Sequence, residues 1–186
     1  MVEGLGHVSL NEVFTNVRWA KSLIGDVPYY VLGLLVTDIA SGYGHIANAI
    51  GAAIFASEIV DLLCYLTPAE HLGLPNENEV KEGLIAYKIA AHAGDLVKIR
   101  DKAIKWDEKM IEARRTLDWE KQISLSIDPE NARKVHYRHD EQHQGNNVPC
   151  TMCGSACVYI MLPQQRKYDK KMTTTSTTTI KDEETA

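Results

Sequence analysis

Long apolar runs are missing from this chain. Its most hydrophobic stretches are broken by Gly, Asp and His before they reach the roughly 20 residues that a membrane-spanning helix needs, so no membrane span is expected. A basic block is missing too. Lys and Arg total 20 against 25 Asp and Glu, a net charge of −5, and a mildly acidic chain is a poor partner for nucleic acid. No basic region leads into an apolar core at the N-terminus, so no secretory signal is expected and the cytoplasm is the expected compartment. Cysteine is scarce, with four in all. Cys64 stands alone in an apolar run, whereas Cys150, Cys153 and Cys157 fall within eight residues. Three thiols that close, in a chain with cytosolic character, suggest metal rather than disulfides.

What is present is enough to build a core. Of 186 residues 45% are hydrophobic and 24% charged, which fits one domain, or one domain and a tail. A closed (β/α)8 barrel needs roughly 200 residues or more, so the chain is too short for one.

Three apolar segments, each followed by a helical one, run through the first half. The first is Met1 to Leu10, followed by a helical period over Asn11 to Ile24 at Val13, Val17, Ala20, Leu23 and Ile24. Pro28 to Ile39 is a nearly continuous β-favouring run, suited to a strand buried on both faces of a parallel sheet, and Gly42 to Ile59 is an Ala/Ile-rich helix. Asp61 to Leu72 is the third segment. A long helix follows over Glu77–Lys98, with Asn76 and Glu79 spaced as a capping box and Ile85, Ile89, His92 and Leu96 on one face. The β-α-β-α-β-α order predicts an α/β fold with right-handed crossovers and a parallel sheet. Lys98 to Tyr137 is helical and charged, and Asp128-Pro129 marks a helix start within it. A polar loop, His139 to Pro149, leads into the cysteines. The stretch from Pro163 onward is a Thr-rich polar tail, expected to be disordered.

The sequence Cys150-Thr-Met-Cys153-Gly-Ser-Ala-Cys157 is the strongest chemical signal. Three thiolates at this spacing can hold a 4Fe–4S cluster with one iron open to a small molecule, as S-adenosylmethionine is bound in radical enzymes. Structural zinc, with His136, His139 or His143 as fourth ligand, is the alternative, and no metal at all is a third. Glu3, Gly4, Gly6 and His7 end the first strand segment, and Glu70 and His71 end the third. Ligands bind at the carboxyl ends of parallel strands, so His7 and His71 could meet at one metal, or each could be an ordinary hydrogen-bonded histidine. His45 and His92 have helical, structural contexts. Asp38 ends the second strand segment and could face a site or cap the next helix.

The segments VEGLGHV, VPYYVLGLLVTDIASGYGHIANAIGAA, LLCYLTPAEHLGLPNENEVKEGLIAYKIAAHAGDL and CTMCGSAC resemble the phosphomethylpyrimidine synthase (ThiC) family in order and spacing, over about residues 1 to 160. The resemblance implies the last three βα units of an eight-unit barrel (1–98), a helical segment (99–138), a cluster-binding cysteine loop (139–162) and the tail (163–186). It implies a radical S-adenosylmethionine lyase that converts 5-aminoimidazole ribotide to hydroxymethylpyrimidine phosphate for thiamine, with a 4Fe–4S cluster, and a homodimer in the intact family member. Residue by residue, it implies that Glu3 and Tyr30 contact substrate, that His7 and His71 ligate zinc, and that Cys150, Cys153 and Cys157 hold the cluster on an arm closing over the barrel mouth.

This chain departs from the family pattern at Leu5, Leu34 and Ser41, where the family has Pro, and at Gly44, where it has Asp. Its C-x2-C-x3-C spacing is one residue shorter than in longer members. Three other readings stand beside the enzyme: an inactive truncated remnant, a non-catalytic zinc or iron–sulfur binding module, and a paralogue that makes 5-hydroxybenzimidazole for cobamides from the same ribotide.

Overall fold

The computed structural model describes residues 1–33, 35–58, 60–138 and 147–162. Leu34, His139, His143 and the tail from residue 163 lie outside the described residues. The chain divides into two compact units, Met1–Asp107 and Glu108–Ala186.

In the first unit three short strands, β1 (Val2–Glu3), β2 (Tyr29–Leu32) and β3 (Leu62–Cys64), form a parallel sheet in the order β1-β2-β3. Glu3 pairs with Tyr30, and Tyr30, Val31 and Leu32 pair with Leu62, Leu63 and Cys64. The connections are the helices α1 (Val13–Ile24) and α2 (Gly44–Ser57), and α3 (Glu77–Lys98) follows β3. The expected parallel βαβ order is therefore present.

The strands are much shorter than the apolar segments that contain them. The physical reason is that apolarity marks burial, not ladder pairing. Val8, Leu35 and Leu66 are all buried, yet each lies past the end of its strand in the loop above it. The first helix also opens with a 3-10 turn, Leu10–Glu12, and α2 is shorter than the Gly42 to Ile59 expected.

Alternation along the strands sorts the side chains onto two faces. Tyr29 and Val31 point to one face and cluster with Val13 and Val17 of α1 and Phe55 of α2. Leu63 joins this face and also packs against Ala52, Tyr87 and Ala90 of the α2–α3 contact. Glu3, Tyr30, Leu32, Leu62 and Cys64 share the opposite face by register.

The long helix α3 begins where its local signals place it. The Asn76 side chain accepts from Glu79 N at 3.1 Å, and Asn76 N donates to Glu79 Oε2 at 2.7 Å. Two of the orphan donors of the first turn are thereby satisfied. Asn76→Ala is expected to lower stability by about 1 kcal/mol, read as a lower urea midpoint in circular dichroism.

The buried face of α3 is lined mainly by small residues. Gly83, Tyr87, Ala90 and Gly94 are buried, whereas Ile89 is 54% exposed. Small residues win because they let the α3 backbone come against α2: a Cβ at Gly94 would collide with Ala56 Cβ and lie 2.7 Å from the Ala56 carbonyl carbon.

Asp61 ties the base of β3 to β2. Its Oδ2 accepts from Tyr29 N at 2.9 Å and from Lys21 Nζ at 3.3 Å. The Tyr29 amide bond, with help from Lys21, holds its carboxyl below the usual carboxylate range. A depressed folded pKa stabilises above the unfolded value of about 3.9 and is lost as pH falls through the folded value. Asp61→Asn is expected to cost about 1 kcal/mol at pH 7, a charged hydrogen bond discounted for solvent. The gap between wild type and variant should shrink below about pH 4. Urea titrations at several pH values measure it, and a gap independent of pH would refute the ionic contribution.

In the second unit lie α5 (Trp119–Leu125), α6 (Pro129–Tyr137) and the end of α4 (Arg100–Arg115). Asp128 caps α6, its side chain accepting from Asn131 N at 3.0 Å with Pro129 in the first turn, as the sequence predicts. Arg133 makes a two-pronged ion pair with Glu120, which also accepts from Tyr137 Oη. No helix among the described residues is long and apolar enough to cross a membrane.

Candidate functional site

The loops above the sheet converge. After β1, Gly4 N donates to Tyr30 O at 2.7 Å, and Leu35 N donates to Gly6 O at 3.1 Å. A single parallel bridge then pairs His7 with Leu35. The first loop is thus zipped onto the second past the end of the ladder, and His7 is delivered to the carboxyl end of the sheet. After β3, Leu72 N and Gly73 N both donate to Ala69 O, at 2.8 and 3.0 Å. This turn presents His71 at φ 61°, an uncommon conformation for a non-glycine residue and one often held at functional positions.

His7 and His71 come together from 64 residues apart in sequence. Their ring centres are 5.8 Å apart, tilted by 48°. Two imidazoles on one zinc, with Zn–N of about 2.0–2.1 Å, set their ring centres about 5–6 Å apart. The pair therefore fits a shared ion. Among the described residues, no group of three or more His, Cys, Asp and Glu is gathered for a metal, so two protein ligands would leave the remaining positions open.

Glu3 and Tyr30 are register partners and point to the same face of the sheet. The neighbouring Cys64 thiol, then burial, pushes the Tyr30 pKa up to about 12. Tyr30 is consequently a neutral hydroxyl at physiological pH, able to donate. Cys64 has no assigned role in the sequence reading. The period-2 register that puts Cys64 on the Tyr30 face is the signal that finds it.

His45 and His92 are structural, in keeping with their helical contexts. His45 is buried and lies 3.4 Å from Glu82. His92 Nε2 is 2.6 Å from Asp107 Oδ2, and its ring meets Trp106 edge-on.

The cysteines belong to the second unit. Gly154 N donates to Cys150 O, Ala156 N to Cys153 O and Cys157 N to Gly154 O, at 3.0–3.2 Å, so the segment is wound into one tight turn. All three thiols are free; Cys153 is exposed and Cys157 buried. The donor set suits a cluster: three soft, unpaired thiols at short spacing. Among the described residues these three thiols are not gathered as a metal site. His136, the candidate fourth zinc ligand among the described residues, stacks on Trp119 at 4.2 Å, and burial lowers its pKa. A cleft of about 350 Å³ lies between this ring pair and Pro149, Cys150 and Met152.

Residues 1–164 match the Radical SAM ThiC family. The chain is 56% identical over 162 residues to the phosphomethylpyrimidine synthase of Desulfitobacterium hafniense, covering 87% of this chain and 37% of that one. It is 51% identical over 174 residues to that of Ignicoccus hospitalis (92% and 39%) and 54% over 167 residues to that of Sulfolobus acidocaldarius (90% and 38%). The chain therefore belongs to the Radical SAM ThiC family, an enzyme family of radical S-adenosylmethionine chemistry. It spans under two-fifths of the length of these relatives.

Proposed function

We propose that this chain is part of a phosphomethylpyrimidine synthase, contributing the last three βα units of an eight-unit barrel and the cluster-binding cysteines. The observation that carries the reading is the meeting of His7 and His71 past the carboxyl ends of three parallel strands, with Glu3 and Tyr30 paired on one face of the same sheet. The sheet order supports it as well. Strands that follow chain order, with α1, α2 and α3 packed on a single face, are the arrangement of a barrel wall.

The substrate in this reading is 5-aminoimidazole ribotide. Glu3 and Tyr30 orient it, the carboxylate as acceptor and the Tyr30 hydroxyl as donor. His7 and His71 would hold zinc, which supplies a fixed positive charge beside the substrate. Cys150, Cys153 and Cys157 would hold a 4Fe–4S cluster, which supplies the reductive cleavage of S-adenosylmethionine that starts the rearrangement. Holding reactants in fixed geometry is the protein's main contribution to such a step, and the rigid strand ends provide it.

The test is reconstitution. The chain is combined with the portion of the Desulfitobacterium relative that it does not span, loaded anaerobically with iron and sulfide, and given S-adenosylmethionine and the ribotide. Hydroxymethylpyrimidine phosphate by mass spectrometry is the expected product. A benzimidazole product, or a folded, loaded assembly that makes none, would overturn the proposal.

A further inference from the structure

We infer that Asp38 is a positioning residue for His7, fixing the tautomer and orientation of its ring so that Nε2 is the nitrogen left to bind a metal. This inference rests on the reading that His7 and His71 share a metal. Asp38 Oδ1 lies 3.2 Å from His7 Nδ1. An ionised carboxylate only accepts hydrogen bonds, so Nδ1 carries the proton and Nε2 is left with its lone pair. A carboxylate behind a ligating histidine orients the ring and raises its basicity, and losing such a partner typically costs metal affinity.

Two further features support the assignment. Asp38 does not cap the following helix: the N-cap of α2 is Tyr43, and no side chain caps that end. The other role open to Asp38 is therefore not taken. Asp38 also comes from the loop after β2, between the loop that carries His7 and the one that carries His71, whose ring lies 5.8 Å from that of His7. All three loops thus contribute to one cluster, and the middle one supplies the only group bonded to either ring among the contacts described. Both side chains of the pair are more than half exposed, so the bond acts through the ring's tautomer rather than through fold stability.

The experiment uses the full chain with Cys150→Ser, Cys153→Ser and Cys157→Ser, so that thiols of the second unit do not compete for metal. Zinc affinity is measured by competition with a chromophoric chelator, and ring tautomers by nitrogen-15 correlation spectra of the metal-free chain. Asp38→Ala is expected to weaken zinc binding about 10–100-fold and to move the His7 proton toward Nε2. Asp38→Asn keeps an acceptor oxygen and should recover much of both signals. Unchanged affinity and unchanged tautomer in a folded Asp38→Ala chain would overturn the inference. His7→Ala and His71→Ala with undiminished zinc affinity would instead overturn the underlying metal reading, while the tautomer spectra would still decide whether Asp38 holds the ring.

Discussion

Cys153→Ala is expected to abolish cluster assembly on this chain. The wild-type chain, reconstituted anaerobically with iron and sulfide, should take up about four irons and give an EPR signal on reduction. The variant should retain almost none of either. The cysteine turn offers three thiolates, and a cubane held by three already leaves one iron without a protein ligand. With two, half of the cluster's irons would lack an anchor. Cys153 is the exposed member of the set, so its replacement removes a ligand without opening a core. Cys64→Ala is the control, because Cys64 belongs to β3 in the first unit and shares its face of the sheet with Tyr30; its loss should leave iron content unchanged. A full EPR signal from Cys153→Ala would refute the ligand assignment. Stoichiometric zinc with no iron in the wild type would favour the structural-zinc alternative.

The second large effect is in the packing that holds the sheet's helical layer together. Gly94→Ala gains about 1 kcal/mol of helix propensity, yet the added methyl meets Ala56 and the Ser57 nitrogen, the latter at 2.8 Å. Backbone cannot swing aside as a side chain can, and overpacking costs about 1–3 kcal/mol. The net result is a loss of about 1 kcal/mol for alanine. Gly94→Leu has nearly the same propensity as alanine and far more volume, so it should lose about 3 kcal/mol or more. Ile89→Ala, on the exposed side of the same helix, should change stability by less than about 0.5 kcal/mol. Urea unfolding followed by circular dichroism ranks the three. An Ile89→Ala loss larger than that of Gly94→Leu would mean that α3 packs on the face carrying Ile85, Ile89, His92 and Leu96.

That contrast shows which structural features were legible in the sequence. The start of α3 at Asn76 and of α6 at Asp128-Pro129 could be read directly, because a cap is a contact between residues three apart. The parallel order of the strands followed from the alternation of segments. The packed face of α3 could not be read from hydrophobic periodicity, since the closest helix contact is made by glycine and alanine, which carry little apolar signal. Strand lengths were overestimated for a related reason. Val8, Leu35 and Leu66 are as apolar as strand residues and as buried, but they fill the space under the loops.

The candidate site divides in the same way. Glu3, His7, Tyr30 and His71 are picked out by resemblance to the family's motifs, and the three cysteines also by their own spacing. Whether two histidines 64 residues apart would meet, whether Asp38 would cap α2 or bond to His7, and whether Cys64 would touch Tyr30 were decided only by tertiary structure. Each is a contact across strands, set by register and loop closure, and one residue of slippage would turn Tyr30 and Cys64 to the other face. The sequence by itself determined the residue types and the local helix caps; the parallel register of β1, β2 and β3 decided which of those residues stand together, because only pairing across the sheet brings distant strand ends within reach of one another.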